Sequence, residues 1–193
     1  MIGQHRQSPP PQPRKYYGKY RGVVVDNLDP LGIARVIATC PALATSTLSW
    51  ALPALPWGGA DTGTFIVPPV GTGVWIEFEQ GDIDYPIWTG CYWSVAEEVP
   101  SQAKALLFQP GIVIQGPFLN SLVLGPGDTG TGGVSLRCGD VSLEMSALGG
   151  IVLTSGTATI TVQVGSIEIS NGVASIALDG PLVTVNDGAL EVL

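Results

Sequence analysis

SIEISNGVASIALDGPLVTVNDGALEVL, residues 166–193, decides the fold class of this chain. It consists of short β-branched runs separated by the pairs Asn171-Gly172, Asp179-Gly180 and Asp187-Gly188, so the turn glycines recur every eight residues. Asn-Gly and Asp-Gly pairs between apolar runs are strong signals for tight hairpin turns. An eight-residue unit therefore supplies one strand of about five residues and one turn.

The same pattern extends upstream to Gly111 with an imperfect period. Gly156 fits the eight-residue spacing and Gly165 lies one residue from the expected position, whereas Gly149-Gly150 does not fit it. One such unit is too short to bury its apolar face, so the units must stack. A single-chain β-solenoid of about ten short strands would have a thin core, whereas identical chains wound together bury the core and leave no free edges. Residues 111–193 are therefore predicted to form an oligomeric β-helix, a rod roughly 50 Å long at about 4.8 Å per layer.

The composition of the whole chain favours the same all-β class. The 193 residues include 26 Gly and 16 Pro, and only 12% are charged, about half the usual share. So many turn-forming residues and so few charges exclude a disordered chain, a helical bundle and a coiled coil. The net charge of −8 argues against general nucleic-acid binding, because phosphate recognition needs a basic face. A surface with so few charged residues predicts that much of it is buried against other subunits in an assembly.

The first residues differ from the rest of the chain. Residues 1–15 are polar and Pro-rich, and five of the eight basic residues lie within the first 21 positions. We predict a flexible basic arm, either solvated or ordering against an acidic partner. The sequence contains no secretory signal peptide and no apolar run long enough to span a membrane.

The three cysteines, Cys40, Cys91 and Cys138, lack the spacing of a zinc site or a disulfide framework. They are predicted to be small buried apolar residues of a protein in a reducing compartment.

Residues 16–95 predict a small barrel. Lys19–Asp26 and Ile33–Cys40 are two predicted strands joined by a turn rich in Asp, Asn, Pro and Gly, which together form a hairpin. Farther along, Gly73–Glu79 and Tyr85–Trp93 form a second strand pair. Five or so short strands in about 80 residues, with no long helix, fit a closed Greek-key barrel of the OB type.

In the predicted strand Gly73–Glu79, the alternation of side chains also predicts which side is buried. Val74, Ile76 and Phe78 lie on one face of the strand, and Trp75, Glu77 and Glu79 on the other. After the barrel, residues 96–110 are predicted to be a connector, with about one helical turn on either side of Pro100.

Two motifs lie in the barrel segment. The first comprises Gly22, Asp26-Asn27, Asp29-Pro30 and Arg35-Val36, in that order. The second lies within residues 69–86 and comprises Pro69, Gly71, Val74, Ile76, Phe78, Gly81, Asp82 and Pro86. Both motifs resemble those of the central spike proteins of contractile injection systems. This family includes the puncturing needle of contractile-tailed phages, the VgrG spike of type VI secretion, and the spikes of extracellular injection particles.

The resemblance implies a homotrimer with a mechanical, non-enzymatic function. Three OB barrels would form a collar below the baseplate hub, and a trimeric triple-stranded β-helix over residues 111–193 would project as a needle that punctures the target membrane during sheath contraction. We predict dry aliphatic packing about its three-fold axis, at positions that include Ile167, Ile169, Val183 and Val185. The apolar end, Leu190, Val192 and Leu193, would dock a separate conical PAAR-type tip protein.

The chain also departs from some members of the family. A connector of residues 96–110 cannot hold the lysozyme domain that some phage spikes carry. The single histidine, His5, cannot supply the His-x-His motif that binds iron in some short spikes, so no metal and no cofactor are expected. We expect assembly in the bacterial cytoplasm and residence in a phage tail, a secretion apparatus or an extracellular injection particle. The sequence leaves open which of these machines it serves.

Two alternative functions stay open from the residues alone. The first is a ligand-binding OB domain on an oligomeric β-solenoid, with tryptophans stacking on a glycan or an oligonucleotide. The five tryptophans lack interleaved Lys or Arg across residues 36–103, which favours packing over binding; they are Trp50, Trp57, Trp75, Trp88 and Trp93. The second is an adhesive tail spike whose needle ends at a host glycan. The absence of aromatic residues from the C-terminal segment argues against it. No serine has a histidine partner and no carboxylate pair has apolar surroundings, so we expect no enzyme.

Overall fold

The structure is a computed structural model of the single chain, and it describes residues 14–43, 47–106, 109–126 and 132–192. These residues form two compact units that divide between Glu98 and Val99. Within the described residues both units are built from β-strands, with one five-residue helix and a few 3-10 turns. The predicted all-β class is therefore confirmed.

The first unit contains seven strands. They are β1 (Tyr20–Asp26), β2 (Ile37–Thr39), β3 (Leu52–Pro53), β4 (Gly58–Gly59), β5 (Thr62–Gly63), β6 (Gly73–Phe78) and β7 (Pro86–Tyr92). Five of them form one sheet in the order β2-β1-β6-β7-β3, and β4 pairs with β5 in a separate hairpin. Val36 and Ala51 join the two ends of the sheet through reciprocal backbone N–H···O bonds of 3.2 and 2.8 Å. This bridge closes the five-stranded barrel that the sequence predicts.

The core of the barrel comes from the alternating apolar residues of its strands. Val74, Ile76 and Phe78 are buried, which confirms the predicted inner face of β6. A Cβ atom on Gly22 would lie 3.1–3.2 Å from atoms of Ile76, Cys40 and Thr39, so a side chain here would crowd the close approach of β1 to its neighbours by a few tenths of an ångström.

The predicted second strand, Ile33–Cys40, is shorter than expected. Only Ile37–Thr39 forms β2, and Val36 makes the isolated bridge that closes the barrel. The preceding residues form a loop in which Ala34 takes a positive φ of 63°. The alternation still predicts the buried side of this segment correctly, because Ala34, Val36 and Ala38, which form one face of the predicted strand, are all buried.

The second unit begins with helix α1 (Ser101–Ala105), which follows Pro100, and continues as ten strands. The strands are β8 (Ile112–Gln115), β9 (Ser121–Gly125), β10 (Gly133–Cys138), β11 (Val141–Ser146), β12 (Gly150–Ser155), β13 (Ala158–Gln163), β14 (Ser166–Ser170), β15 (Ser175–Asp179), β16 (Leu182–Val185) and β17 (Leu190–Val192). They form one ten-stranded sheet in strict sequence order, and every neighbouring pair is antiparallel. Three short 3-10 turns complete the described elements: Glu79–Gly81, Ala96–Glu98 and Pro117–Leu119.

The turns of this sheet lie where the eight-residue period places them. Gly172, Gly180 and Gly188 lie between successive strands and have φ values of 85°, 57° and 97°. Glycine adopts this left-handed region without the steric penalty of a Cβ atom. The periodic glycines therefore reverse the chain at each hairpin, and the short strands between them stack edge to edge.

Candidate oligomer interface

The central part of one face of the ten-stranded sheet is lined by apolar, mostly aliphatic side chains. Directly paired residues of antiparallel strands lie on the same face, so the strand register arranges these side chains in two ladders. The first ladder is Ile112, Leu124, Val134, Met145, Ile151, Val162, Ile167, Leu178 and Val183. The second ladder is Ile114, Leu122, Leu136, Leu143, Leu153, Ile160, Ile169, Ile176, Val185 and Leu190.

A single chain does not cover this aliphatic face. Among the described residues every buried hydrophobic side chain lies between Val24 and Trp88, in the first unit. Ile160 and Ile176, near the middle of the sheet, are still 39% and 44% exposed. Soluble monomers rarely expose contiguous apolar patches larger than a few hundred Å². A single-layered sheet with one such face needs another layer to bury it, so the aliphatic face is a candidate interface.

The opposite face of the sheet is mainly polar. The register places Ser142, Thr154, Thr159, Ser170 and Ser175 next to one another on five successive strands, β11 to β15. Beside this hydroxyl row, Arg137 and Glu144 form an ion pair at 2.5 Å that is nearly half exposed. The two faces thus differ in the way expected of a sheet with one side packed and the other in water.

The predicted packing residues lie together on the aliphatic face. Ile167 and Val183 belong to the first ladder, and Ile169 and Val185 belong to the second. Their burial against other chains stays a prediction. The strand register places the remaining residues of both ladders on the same face, and the alternation of apolar residues within each strand is the signal that could have identified them.

The predicted docking end maps to the last strand. Leu190 ends the second ladder, and the backbone of Val192 is paired with Val183 at the end of the first. Leu193 lies outside the described residues.

The residues of the first motif have structural roles in the barrel. The carboxylate of Asp29 is only 4% exposed and accepts hydrogen bonds from the backbone N–H groups of Leu31, Ile33 and Arg35. It also accepts from the Arg35 guanidinium, at 2.9 Å from Nε and 2.6 Å from Nη2. The side-chain amide of Asn27 donates to the carbonyl of Pro68 at 3.0 Å. The motif therefore fixes the loop that leads from β1 to β2.

The Asp29–Arg35 pair predicts a specific dependence of stability on pH. The Arg35 guanidinium, aided by the three backbone donors, holds the pKa of the Asp29 carboxyl well below its ordinary value of 3.8. A depressed native pKa stabilises the fold above the unfolded-state pKa, and this contribution is lost as the pH falls towards the native value. We expect Asp29→Asn to lower the free energy of unfolding by a constant amount above about pH 5. The difference from wild type should shrink below pH 3.8.

Urea unfolding of both proteins between pH 2.5 and 7 measures this difference. The conservative variant Glu77→Gln, which removes the exposed ion pair with Lys19, is the matched control and should show little effect at any pH. A stability difference for Asp29→Asn that stays unchanged down to the lowest pH would contradict the assigned role of the charge.

The prediction that all three cysteines are buried is wrong for two of them. Cys40 is buried in the barrel, and burial raises the pKa of its thiol to about 11. Cys91 and Cys138 are exposed. Cys91 follows Gly90, whose φ of 144° accompanies an irregular register between β6 and β7, and Cys138 ends β10 at a hairpin turn.

Two arginines from outside residues 36–103 lie beside tryptophans in the folded barrel. The Arg21 guanidinium lies 5.5 Å from the ring centroid of Trp75 and 5.3 Å from that of Tyr92. Arg35 lies 5.3 Å from the ring of Trp50. Both arginines precede residue 36, and strand pairing brings them to aromatic residues that are distant in sequence. Trp88, by contrast, is buried in the barrel core.

The described residues contain no group of three or more His, Cys, Asp or Glu side chains that could hold a metal ion. The position of His5 falls in the part of the chain that the structure does not describe. No helix within the described ranges is long and apolar enough to cross a membrane.

Comparisons with known proteins identify both units. Residues 20–93 match the family described as the type VI secretion system/phage-baseplate injector OB domain, and residues 111–191 match the phage baseplate V C-terminal trimerisation domain. The chain is also 36% identical over 56 residues to the type VI secretion system spike protein VgrG4b of Pseudomonas aeruginosa, a match that covers 29% of this chain and 7% of that protein. The unit with the uncovered aliphatic face is thus a trimerisation domain. The first unit belongs to the injector OB-domain family of type VI secretion systems and phage baseplates, and the second unit to the phage baseplate V C-terminal trimerisation-domain family.

Proposed function

We propose that this protein is a homotrimeric, non-enzymatic spike at the centre of the baseplate of a contractile injection machine. Residues 16–95 form its collar, residues 96–110 the connector and residues 111–193 the needle, which punctures the target envelope when the sheath contracts. The observation that carries the proposal is the uncovered aliphatic face of a unit that matches a trimerisation domain. Assembly takes place in the cytoplasm, before the spike enters a phage tail or a related particle.

The two ladders explain how such a needle would resist axial load. Three sheets that turn their aliphatic faces inward form a dry core at every one of the ten strand levels. Close-packed apolar interiors have low compressibility, and the backbone hydrogen bonds between strands lie along the stacking direction. The polar faces remain in water. Ile167, Ile169, Val183 and Val185 are part of this core, and the end of the needle at Leu190, Val192 and Leu193 docks a PAAR-type tip protein.

One end of the barrel has the properties of a docking surface for the hub. The β1–β2 loop exposes Leu28, which is 82% accessible, and Leu31, and the loop before β6 exposes Val70. The Asn27–Pro68 hydrogen bond and the backbone bond from the Gly71 N–H to the Val24 carbonyl at 2.9 Å tie these loops together. Exposed apolar side chains held on a rigid support favour a protein partner.

Replacing Leu28 and Leu31 together by aspartate tests the proposed function. In cells lacking the wild-type gene, the double variant should still form trimers but should be absent from purified sheathed particles, because charges now face an apolar contact. Tyr85→Ser is the matched control, since Tyr85 is exposed at the opposite end of the barrel and should leave incorporation unchanged. Complete, active particles in cells without any copy of the chain would contradict the spike function itself.

A further inference from the structure

The antiparallel sheet has two lateral margins with different surfaces. Hairpin turns after β8, β10, β12, β14 and β16 form one side, the first margin, and turns after β9, β11, β13 and β15 form the other, the second margin. The alternation follows directly from the strand order, since each strand runs opposite to the one before it.

A trough of about 580 Å³ runs along the first margin on the aliphatic face. Its inner wall is the second ladder from Leu153 to Val185. Its outer side consists of short residues where the aliphatic ladders end: Ser155, Ala158, Asn171, Ala174 and Asn186. Three of these side chains are small, and the two asparagine side chains accept hydrogen bonds from backbone N–H groups at the turns. The ladder is therefore left uncovered along this margin, over the middle strands of the sheet.

The second margin carries two protruding apolar side chains, and the first margin carries one beside the trough, Val173 in the β14–β15 turn, which is 95% exposed. Val164 forms the tip of the β13–β14 turn and is fully exposed, and Leu148, in the β11–β12 turn, is 71% exposed. Tight turns ordinarily contain Gly, Asn, Asp or Pro at their tips, so branched aliphatic residues there are unusual. Gly165 supplies the positive φ of 85° for the β13–β14 turn and leaves Val164 pointing away from the sheet.

Three-fold symmetry determines which surfaces meet. When three identical sheets surround an axis that runs along their stacking direction, the first margin of each protomer borders the second margin of the next at the same height. The Val164 turn joins β13 to β14. The trough is lined at that height by Ala158, the first residue of β13, and by Asn171, which follows β14.

We propose that Val164 and Leu148 of one protomer occupy the trough on the first margin of the neighbouring protomer, so that the three sheets join head to tail. This proposal rests on the trimeric function proposed above and adds the contacts by which the trimer closes. It accounts for the exposure of Val164 and Leu148 on the second margin and for the open trough on the first, while Val173 takes no part in this contact.

Cysteine cross-linking tests this arrangement. The background carries Cys91→Ser and Cys138→Ser, which remove the exposed thiols; Cys40 is buried with a raised pKa and will not react. Into it we place Val164→Cys together with Ala158→Cys, both at positions exposed in the single chain. A short bis-maleimide should convert more than half of the double variant into covalent trimers that survive boiling in SDS. Each single variant should remain monomeric after boiling.

The possible outcomes separate the two proposals. A trimer of normal mass in which the double variant does not cross-link would overturn the head-to-tail contact and leave the spike function intact. Covalent dimers of the Val164→Cys single variant would also overturn it, because identical residues would then be adjacent. A monomeric mass for the uncross-linked wild-type chain would instead reject the trimeric spike itself.

Discussion

Replacing Val183 and Val185 together by aspartate is expected to abolish the trimer. The two residues lie on neighbouring ladders of the aliphatic face, two positions apart in β16. Three chains would bring six carboxylates into one apolar layer, and each unpaired buried charge costs several kcal/mol even after relaxation. Light scattering of the double variant should therefore give a monomeric mass at concentrations where the wild-type protein is fully trimeric.

Thr184→Asp is the matched control for this experiment. Thr184 lies between the two valines on the polar face, at a position paired with Ala177 and Glu191. A like charge directly across a strand pair destabilises by about 1 kcal/mol or less, so this variant should remain trimeric. Heat-resistant trimers of the valine double variant would show that the aliphatic face is not the contact surface.

Trp88→Ala is expected to lower the free energy of unfolding of the barrel by about 3–5 kcal/mol. Trp88 is buried among the core residues, and its indole N–H donates to the Ala34 carbonyl at 3.0 Å. The substitution removes most of a large apolar side chain and leaves a buried carbonyl without its donor. Thermal unfolding followed by near-ultraviolet circular dichroism or tryptophan fluorescence measures the loss.

Two further variants separate the contribution of the buried side-chain volume of Trp88 from that of its hydrogen bond. Trp88→Phe keeps much of the volume but removes the donor, so it should cost about 1–3 kcal/mol, less than the alanine variant. Trp93→Ala removes the same side chain at a position that is 61% exposed and should change stability by less than about 0.5 kcal/mol. Equal losses for Trp88→Ala and Trp93→Ala would contradict the placement of Trp88 in the core.

Local patterns in the sequence predicted the parts of the fold that depend on local rules. The alternation of Val74, Ile76 and Phe78 identified a buried strand face, because side chains of a strand alternate between two sides. The eight-residue spacing of Gly172, Gly180 and Gly188 located the hairpins, because tight turns need positive φ values.

Features that depend on tertiary contacts escaped sequence analysis. The Ile33–Cys40 segment alternates like a strand, yet the hydrogen bonds of Asp29 hold its first residues in a loop. The contact of Arg21 with Trp75 joins residues on two strands far apart in sequence, and no local pattern signals it. Cys91 was wrongly predicted to be buried. Its exposure accompanies an irregularity in the pairing of β6 with β7, which the local sequence does not signal.

The candidate interface was only partly predictable for a similar reason. Ile167, Ile169, Val183 and Val185 could be named because a strand of alternating apolar residues has one apolar side. The continuity of both ladders across ten strands depends on register, which turn lengths set only approximately. The trough and the protruding turn residues emerge only when alternate hairpins are assigned to opposite margins.

The mass of the purified chain in solution tests the central claim most directly. Light scattering should give about 60 kDa, three times the 20.0 kDa of one chain, and a band of the same size should persist in SDS without heating. A mass near 20.0 kDa would contradict the trimeric spike, because the aliphatic face would then have to remain exposed to water on a stable monomer.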